Sequence, residues 1–182
     1  MKGPTAWVFA IALWCLSTST AWAQDKGDTG LTISAPSAIG MIWHTSDRVA
    51  LRPDVSFGLT ETDGEGSLPD LSSRNVTLSV SALFYTHRWD DLRTYVSPRF
   101  TFGHASTSID GAPGVSGDTT SSTWSVAGSI GAQYALGTRF GVFAEAGLSY
   151  SSQRSETPSL NVTERTTWTF GTRTMIGGIL YF

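Results

Sequence analysis

The sequence predicts an all-β fold, a transmembrane antiparallel up-and-down β-barrel of eight strands in residues 24–182, and three observations predict it. Apolar and polar residues alternate with period two through most of the chain after residue 24, where helical periodicity is absent. The face opposite the apolar one carries mostly Gly, Ser, Thr and Ala, which suit the narrow interior of a small barrel. Charged residues make up only 15% of the 182 residues, against about a quarter in a soluble domain.

Composition and motifs exclude several other classes of protein. No run approaches the ~20 apolar residues that a transmembrane helix needs. A formal net charge of -3 argues against a basic nucleic-acid-binding protein, so we expect no nucleic-acid partner. The chain has no phosphate-binding loop and no dinucleotide fingerprint, and we therefore expect no cofactor.

Residues 1–23 predict a secretory signal peptide that is cleaved from the mature chain. Met1–Lys2 supplies a positive start, and Ala6–Leu16 is apolar but too short to cross a membrane. Ala21–Ala23 forms an A-x-A cleavage site. Cleavage there would also remove Cys15, the single cysteine, so we expect neither a disulfide nor thiol chemistry.

Six segments alternate strongly and predict six strands: Val49–Thr60, Asn75–Tyr85, Thr94–His104, Thr123–Leu136, Arg139–Ser151 and Thr166–Phe182. Ser37–His44 predicts a seventh strand. Single-chain bacterial barrels have even numbers of strands, so we assign the eighth to Gly27–Ala35, with Pro36–Ser37 as a tight outer turn. A seven-stranded barrel and a single Pro-kinked strand remain open as alternatives.

Aromatic residues at both ends of the apolar face favour a membrane barrel over a soluble β-sandwich, which would also alternate. Trp124 and Tyr134 are ten residues apart, and so are Phe140 and Tyr150 in the next predicted strand. A membrane strand needs ~9–11 residues and has aromatic girdles at both interfaces. Together with Trp168, these four residues are the predicted aromatic girdles.

Short and long connections alternate along the chain. Short turns are predicted at Thr45–Arg48, Trp89–Leu92 and Gly137–Thr138, and long polar loops at Thr62–Ser73, Thr107–Ser122 and Gln153–Glu164. Membrane barrels place their short turns in the periplasm and their long loops outside the cell. We therefore expect the three long loops to face outwards.

Five charged residues fall on the inward-facing positions of the predicted strands: Arg52, Asp54, Arg99, Glu145 and Arg173. Charges inside a narrow barrel are costly unless they are paired. The favoured interpretation is a static network of salt bridges, because side chains can fill an eight-stranded barrel. The alternative is a gate, in which rearranged pairs open a small pore of low conductance.

The last eight residues carry a resemblance to a known family. They alternate up to a C-terminal Phe, with Ile176, Leu180 and Phe182 on the apolar face. With the signal peptide and the alternation, this ending resembles the assembly signal of bacterial outer-membrane proteins. The mature chain resembles the small eight-stranded barrels of the OmpA-transmembrane and OmpX type. The resemblance implies escort by periplasmic chaperones, insertion by the barrel assembly machinery, and surroundings of outer-membrane lipid and lipopolysaccharide; we expect a monomer.

The remaining candidate residues offer little support for catalysis or metal binding. His104 and Ser106 resemble the His-x-Ser motif of lipid A deacylase barrels. Thr107 stands where that family has Asn, however, and an interfacial His is the favoured interpretation. His44 and His87 lie on other predicted strands without ligand spacing, so we expect no metal site.

These observations together predict a bacterial outer-membrane β-barrel that is not an enzyme. The expected role is structural, or interaction with the surroundings through the long loops. A low-conductance pore is the second hypothesis, and a lipid A-modifying enzyme is the third.

Overall fold

The computed structural model describes residues 27–62, 70–110, 117–157 and 163–182. They form eight antiparallel strands, each paired with its neighbours in chain order, and the last strand pairs with the first to close the barrel. The strands are β1 (Thr29–Ala35), β2 (Ala38–Ser46), β3 (Val49–Thr62), β4 (Asp70–Trp89), β5 (Leu92–Asp110), β6 (Gly117–Ala135), β7 (Phe140–Thr157) and β8 (Thr163–Tyr181). The predicted all-β barrel is therefore confirmed, whereas the predicted signal peptide lies outside the described residues. Among the described residues, no helix is long and apolar enough to cross a membrane.

The assignment of the eighth strand is confirmed at the N-terminal hairpin. β1 forms one ladder with β2, where Leu31 pairs with Met41, and a second with β8, where Leu31 pairs with Leu180. Only Pro36 and Ser37 separate β1 from β2, as the sequence predicts. Because β1 has a ladder on each side, the seven-stranded and Pro-kinked alternatives are wrong.

The prediction of three long loops is wrong over much of their length, because the strands extend into these segments. β4 to β8 are 18–20 residues long. Their ladders continue through paired residues such as Ser106 and Thr120. Both faces of these segments are polar, so the period-two contrast that marks a strand is lost there. The connecting residues 63–69, 111–116 and 158–162 lie outside the described residues.

The barrel has two distinct ends. The short-turn end holds the turns β2–β3, β4–β5 and β6–β7 together with Thr29 and Phe182, and the long-strand end holds the opposite ends of the strands. Large apolar side chains on the outer face are exposed, whereas the buried ones lie inside, towards the short-turn end: Ile42, Leu83, Tyr95, Phe143, Met175, Ile179 and Tyr181. An apolar exterior of this extent is stable against lipid rather than water.

Ladder rungs spiral around the barrel. A rung is the line of successive ladder partners across neighbouring strands. One rung starts on β8 at Trp168 and returns to β8 at Gly178. Between them it passes through Ser152, Trp124, Phe102, Leu78, Val55, Ile39 and Ile33. This offset of ten residues, between Trp168 and Gly178, is the shear of the barrel. It tilts the strands by about 40° and brings a rung about 1.25 residues nearer the short-turn end with each step from β8 towards β1.

Candidate functional site in the barrel lumen

A buried ion pair crosses the middle of the lumen. Arg52 Nη2 on β3 lies 2.5 Å from Glu145 Oε1 on β7, and both side chains are only 2% exposed. Tyr95 on β5 donates its hydroxyl to the same carboxylate oxygen at 3.0 Å. The Arg52 guanidinium carbon also lies 4.6 Å from the centroid of the Phe143 ring. The pair and Tyr95 thus link the three strands β3, β5 and β7. Because the pair is shielded from water, the electrostatic attraction between its two charges is strong.

A second ion pair lies nearer the long-strand end. Arg99 Nη2 on β5 pairs with Asp54 Oδ1, and both side chains are 6% exposed. Arg99 Nη1 donates to Ser81 Oγ on β4 at 3.0 Å. Asp54 follows Arg52 by two residues, so the alternation of β3 places both charged groups inside the barrel. Four of the five predicted lumenal charges are therefore brought together as two pairs.

Arg173, the fifth predicted charge, stands apart from the two pairs. It is half-buried on the inner face of β8, and its Nη2 donates to Met175 Sδ at 3.3 Å. In the part of the chain that the structure describes, no carboxylate oxygen lies within 4 Å of its guanidinium. Of the five charges predicted to form a lumenal network, Arg173 is therefore the one without a carboxylate partner among the described residues.

Below the ion pairs, a chain of hydrogen bonds closes the short-turn end of the lumen. Tyr85 Oη donates to Gln133 Oε1 at 3.0 Å, and Gln133 Nε2 donates to Tyr181 Oη at 2.6 Å. His44 Nε2 lies 3.3 Å from the same tyrosine oxygen. Of these residues, only His44 was considered from the sequence, and only as a metal ligand. Their signal was present, because each is a bulky residue on the inward parity close to a short turn.

The two ends of the lumen have different character. Towards the short-turn end, the apolar side chains, the Arg52–Glu145 pair and the hydrogen-bond chain form a packed layer that we call the plug. Above the Arg99–Asp54 pair, the lumen is lined by small, half-exposed polar residues: Ser79, Thr77, Thr101, Thr123, Ser125, Ser149 and Ser151. We call this open, hydroxyl-lined part of the lumen the cup. The cup can therefore accept a ligand from the long-strand side. The plug interrupts the water path through the lumen at the short-turn end.

The predicted girdle residues fall at two levels on the outer face. Trp124, Tyr150 and Trp168 form one aromatic row, with ring centroids 5.8 Å apart for the first pair and 5.9 Å for the second. Tyr134 and Phe140 lie near the short-turn end, on either side of the β6–β7 turn, and are exposed. The ten residues from Trp124 to Tyr134 span about 25 Å along the barrel axis at this tilt, the height of an apolar membrane band.

The residues of the predicted assembly signal all face outwards at the end of β8. Ile176, Leu180 and Phe182 are exposed. The backbone N–H of Phe182 donates to the carbonyl oxygen of Thr29, which ties the C-terminus to the first strand. This placement presents an apolar strand at the short-turn end.

His104 is exposed on β5, and its Nδ1 lies 3.4 Å from Ser122 Oγ on β6. Ser106, the other residue of the His-x-Ser motif, pairs in the ladders with Arg74 and Thr120. Among the described residues, no group of three or more His, Cys, Asp or Glu side chains is placed to hold a metal ion.

Comparison with solved structures finds barrels of the same kind. A major outer membrane protein from Thermus thermophilus is 12% identical with a TM-score of 0.58, over 85% of this chain and 98% of that one. Ail, the attachment invasion locus protein of Yersinia pestis, is 13% identical with a TM-score of 0.46, over 86% and 99%. Acinetobacter baumannii CarO is 12% identical with a TM-score of 0.39, over 89% and 100%. The sequence matches no family model and no curated protein.

A closed barrel with an apolar exterior between two aromatic levels and a polar, charged interior is an integral β-barrel membrane protein. Its eight up-and-down strands and its likeness to the Thermus protein give it the fold of a small outer-membrane β-barrel. The predicted fold and location in the bacterial outer membrane are thereby confirmed.

Proposed function

We propose that this outer-membrane protein acts by surface interaction, through polar strands that rise beyond the membrane, and that it is not a pore. The observation that carries the proposal is the length of β4 to β8. They have 18–20 residues, about twice the ~9–11 that a membrane crossing needs. The excess lies on one side of the Trp124 row and rises about 15–20 Å above it.

The chemistry of this polar extension suits a hydrated partner. We define the polar extension as the strand residues above the aromatic row: Asp70–Asn75, Ala105–Asp110, Gly117–Thr123, Gln153–Thr157 and Thr163–Thr167. Hydroxyl groups dominate it, and the exposed Arg154 bridges Glu156 at 3.4 Å and Glu164 at 2.8 Å. Hydroxyls and charges held on a hydrogen-bonded sheet are pre-organised, so binding through them orders few side chains.

The lumen gives less support to the two alternative functions. A pore needs a water path, and the plug fills the short-turn half with buried side chains. A lipid A-modifying enzyme needs a base beside a nucleophile and a group that orients the base. His104 instead contacts Ser122, and the motif departs from the deacylase pattern at Thr107.

The test removes the β5–β6 hairpin of the polar extension while keeping the membrane barrel. Residues 107–119 are replaced by an Asn-Gly turn, because Ser106 and Thr120 are ladder partners that a two-residue turn can join. Bacteria expressing the intact protein are expected to settle faster in suspension and to adhere more to glass than cells with an empty vector. The shortened variant is expected to lose at least half of this gain.

Heat-modifiable gel mobility of the outer-membrane fraction checks that the shortened barrel still folds and inserts. As a matched control, Arg139→Gln changes a charge at the short-turn end and is expected to leave adhesion unchanged. Equal adhesion of the intact and shortened proteins, with both correctly inserted, would overturn the proposal.

A further inference from the structure

Among the described residues, the barrel wall is incomplete above the β1–β2 hairpin. The rung of Trp124 reaches β1 at Ile33, about six residues nearer the short-turn end than Trp124 itself. β1 continues only to Ala35, and β2 begins at Ala38. The hairpin therefore ends about four residues, or roughly 10 Å, below the aromatic row. We call the resulting gap between β3 and β8 the notch.

Both borders of the notch are strand edges with a ladder on one side. Within the described residues, positions 56–62 of β3 pair with β4 alone, and positions 163–175 of β8 pair with β7 alone. The outer faces of these edges are apolar, with exposed Phe57 and Leu59 on β3 and Trp168 and Phe170 on β8. Their inner faces belong to the polar cup. The notch thus joins the cup to the surrounding lipid.

Arg173 lies at this notch. The rung of Trp124 meets β8 at Trp168, which is about 2.5 residues higher, so Arg173 lies about 6 Å below the aromatic row. This is the depth at which lipid headgroups give way to acyl chains. Ala35 of β1 pairs with Ile176, so the hairpin stops before it reaches the level of Arg173.

The space around Arg173 is kept open by glycine. Gly171, the next inward-facing residue of β8, would have nothing within 4 Å of an added Cβ. The Arg173 guanidinium also forms no ion pair among the described residues, since Glu145 and Asp54 pair directly with Arg52 and Arg99. An ionised group at membrane depth that contacts a neutral thioether and no carboxylate marks a candidate site for an external anion.

We propose that the notch binds one anionic lipid from the surrounding leaflet. The phosphate or carboxylate of the lipid reaches through the notch to the Arg173 guanidinium, and the hydroxyls of Ser149 in the cup and of the exposed Thr169 on β8 supply hydrogen bonds. The acyl chains stay outside, against the apolar edges of β3 and β8. The site lies below the polar extension and is independent of the function proposed for it.

A lipid explains the arrangement better than a free anion from the medium. A dissolved anion needs only the mouth of the cup and gains nothing from a break in the wall. A lipid needs a lateral opening, apolar borders and a cation at headgroup depth, and the notch combines all three. Charge-assisted hydrogen bonds to a phosphate are the strong kind, and arginine can offer two in parallel.

Native mass spectrometry of the barrel, released from dodecyl maltoside micelles, tests the proposal with three probes. Dioleoyl phosphatidylglycerol carries the anion and the chains, dioleoyl phosphatidylcholine carries the same chains without net charge, and glycerol phosphate carries the anion alone. We expect one retained phosphatidylglycerol per barrel and at least tenfold weaker retention of the other two.

Two variants locate the bound lipid. Arg173→Gln removes the charge, and Gly171→Leu fills the space beside it while keeping the charge. Both are expected to reduce phosphatidylglycerol retention about tenfold, whereas Arg165→Gln, on the exposed part of the same strand, is expected to leave it unchanged.

Heat-modifiable mobility selects the folded fraction of each variant before measurement. Equal retention by the intact protein and Arg173→Gln would overturn the proposal. Binding of glycerol phosphate as tight as that of phosphatidylglycerol would also overturn it, in favour of a site for free anions.

Discussion

At the scale of single residues, pairing decides which charges the lumen tolerates. A charge removed from water costs several kcal/mol unless a partner of opposite sign and good hydrogen bonds replace the lost hydration. Arg52 and Glu145 meet the first of these conditions, and Tyr95 is a further donor, whereas Arg52 Nε, Arg52 Nη1 and Glu145 Oε2 are buried without a hydrogen-bond partner among the described residues. Arg173 does not meet the first condition among the described residues, and it lies where the wall is open rather than in the packed plug.

The first prediction concerns the buried pair. Glu145→Gln leaves Arg52 charged and buried, so we expect the free energy of unfolding to fall by about 3 kcal/mol. Adding Arg52→Met removes the orphaned charge and is expected to restore stability to within about 1 kcal/mol of the original. Urea unfolding in lipid vesicles, followed by tryptophan fluorescence, measures both values.

Glu156→Gln is the matched control, because its partner Arg154 is exposed to solvent. We expect a change below about 0.5 kcal/mol there. If the Arg52 and Glu145 substitutions acted additively, the lumenal pair would not be the coupled unit described above.

At the scale of strands, the barrel wall is built from close approaches as well as ladders. Gly147 on β7 faces Ser129 on β6 in the ladder, and the backbones approach so closely that no side chain fits between them. Strand length is the second variable. The two-residue connection at Pro36–Ser37 ends the first hairpin early and leaves the notch, whereas the longer strands rise together above the membrane.

The second prediction tests this close approach. An added Cβ at Gly147 would lie 2.6 Å from Ser129 Cα and also clash with the Gly128 carbonyl oxygen. Because both contacts are backbone atoms, we expect Gly147→Ala to lower the free energy of unfolding by about 2 kcal/mol. Gly128→Ala is the control, since its Cβ would meet nothing within 4 Å. A loss of equal size in both variants, in the same urea assay, would contradict the steric explanation.

At the scale of the whole molecule, the barrel is closed at one end and open at the other. The plug joins the barrel strands through buried side chains, while the cup above it stays accessible. The accessible features of this outer-membrane protein are the cup, the polar extension and the notch. All three lie on the long-strand side. These features support the proposed binding at one surface of the membrane over conduction across it.

The third prediction follows from the plug. Purified protein in planar lipid bilayers is expected to show no stepwise conductance, because buried side chains such as Tyr95, Phe143 and Ile179 occupy the lumen. A trimeric porin in the same bilayer is the positive control. Regular current steps from the unaltered protein would contradict the plug and favour the gated-pore alternative.

The sequence by itself determined the strand pattern, the inward position of the five lumenal charges and the aromatic levels, because period two assigns every residue of a strand to one face. It did not determine where polar strands end, since Thr107 and Ser122 look like loop residues once both faces are polar. Only the tertiary structure decided which charges pair, because Arg52 and Glu145 are 93 residues apart and their contact depends on strand order and shear. For the same reason, the tertiary structure alone shows that Arg173 is left without a carboxylate among the described residues, beside a gap in the wall.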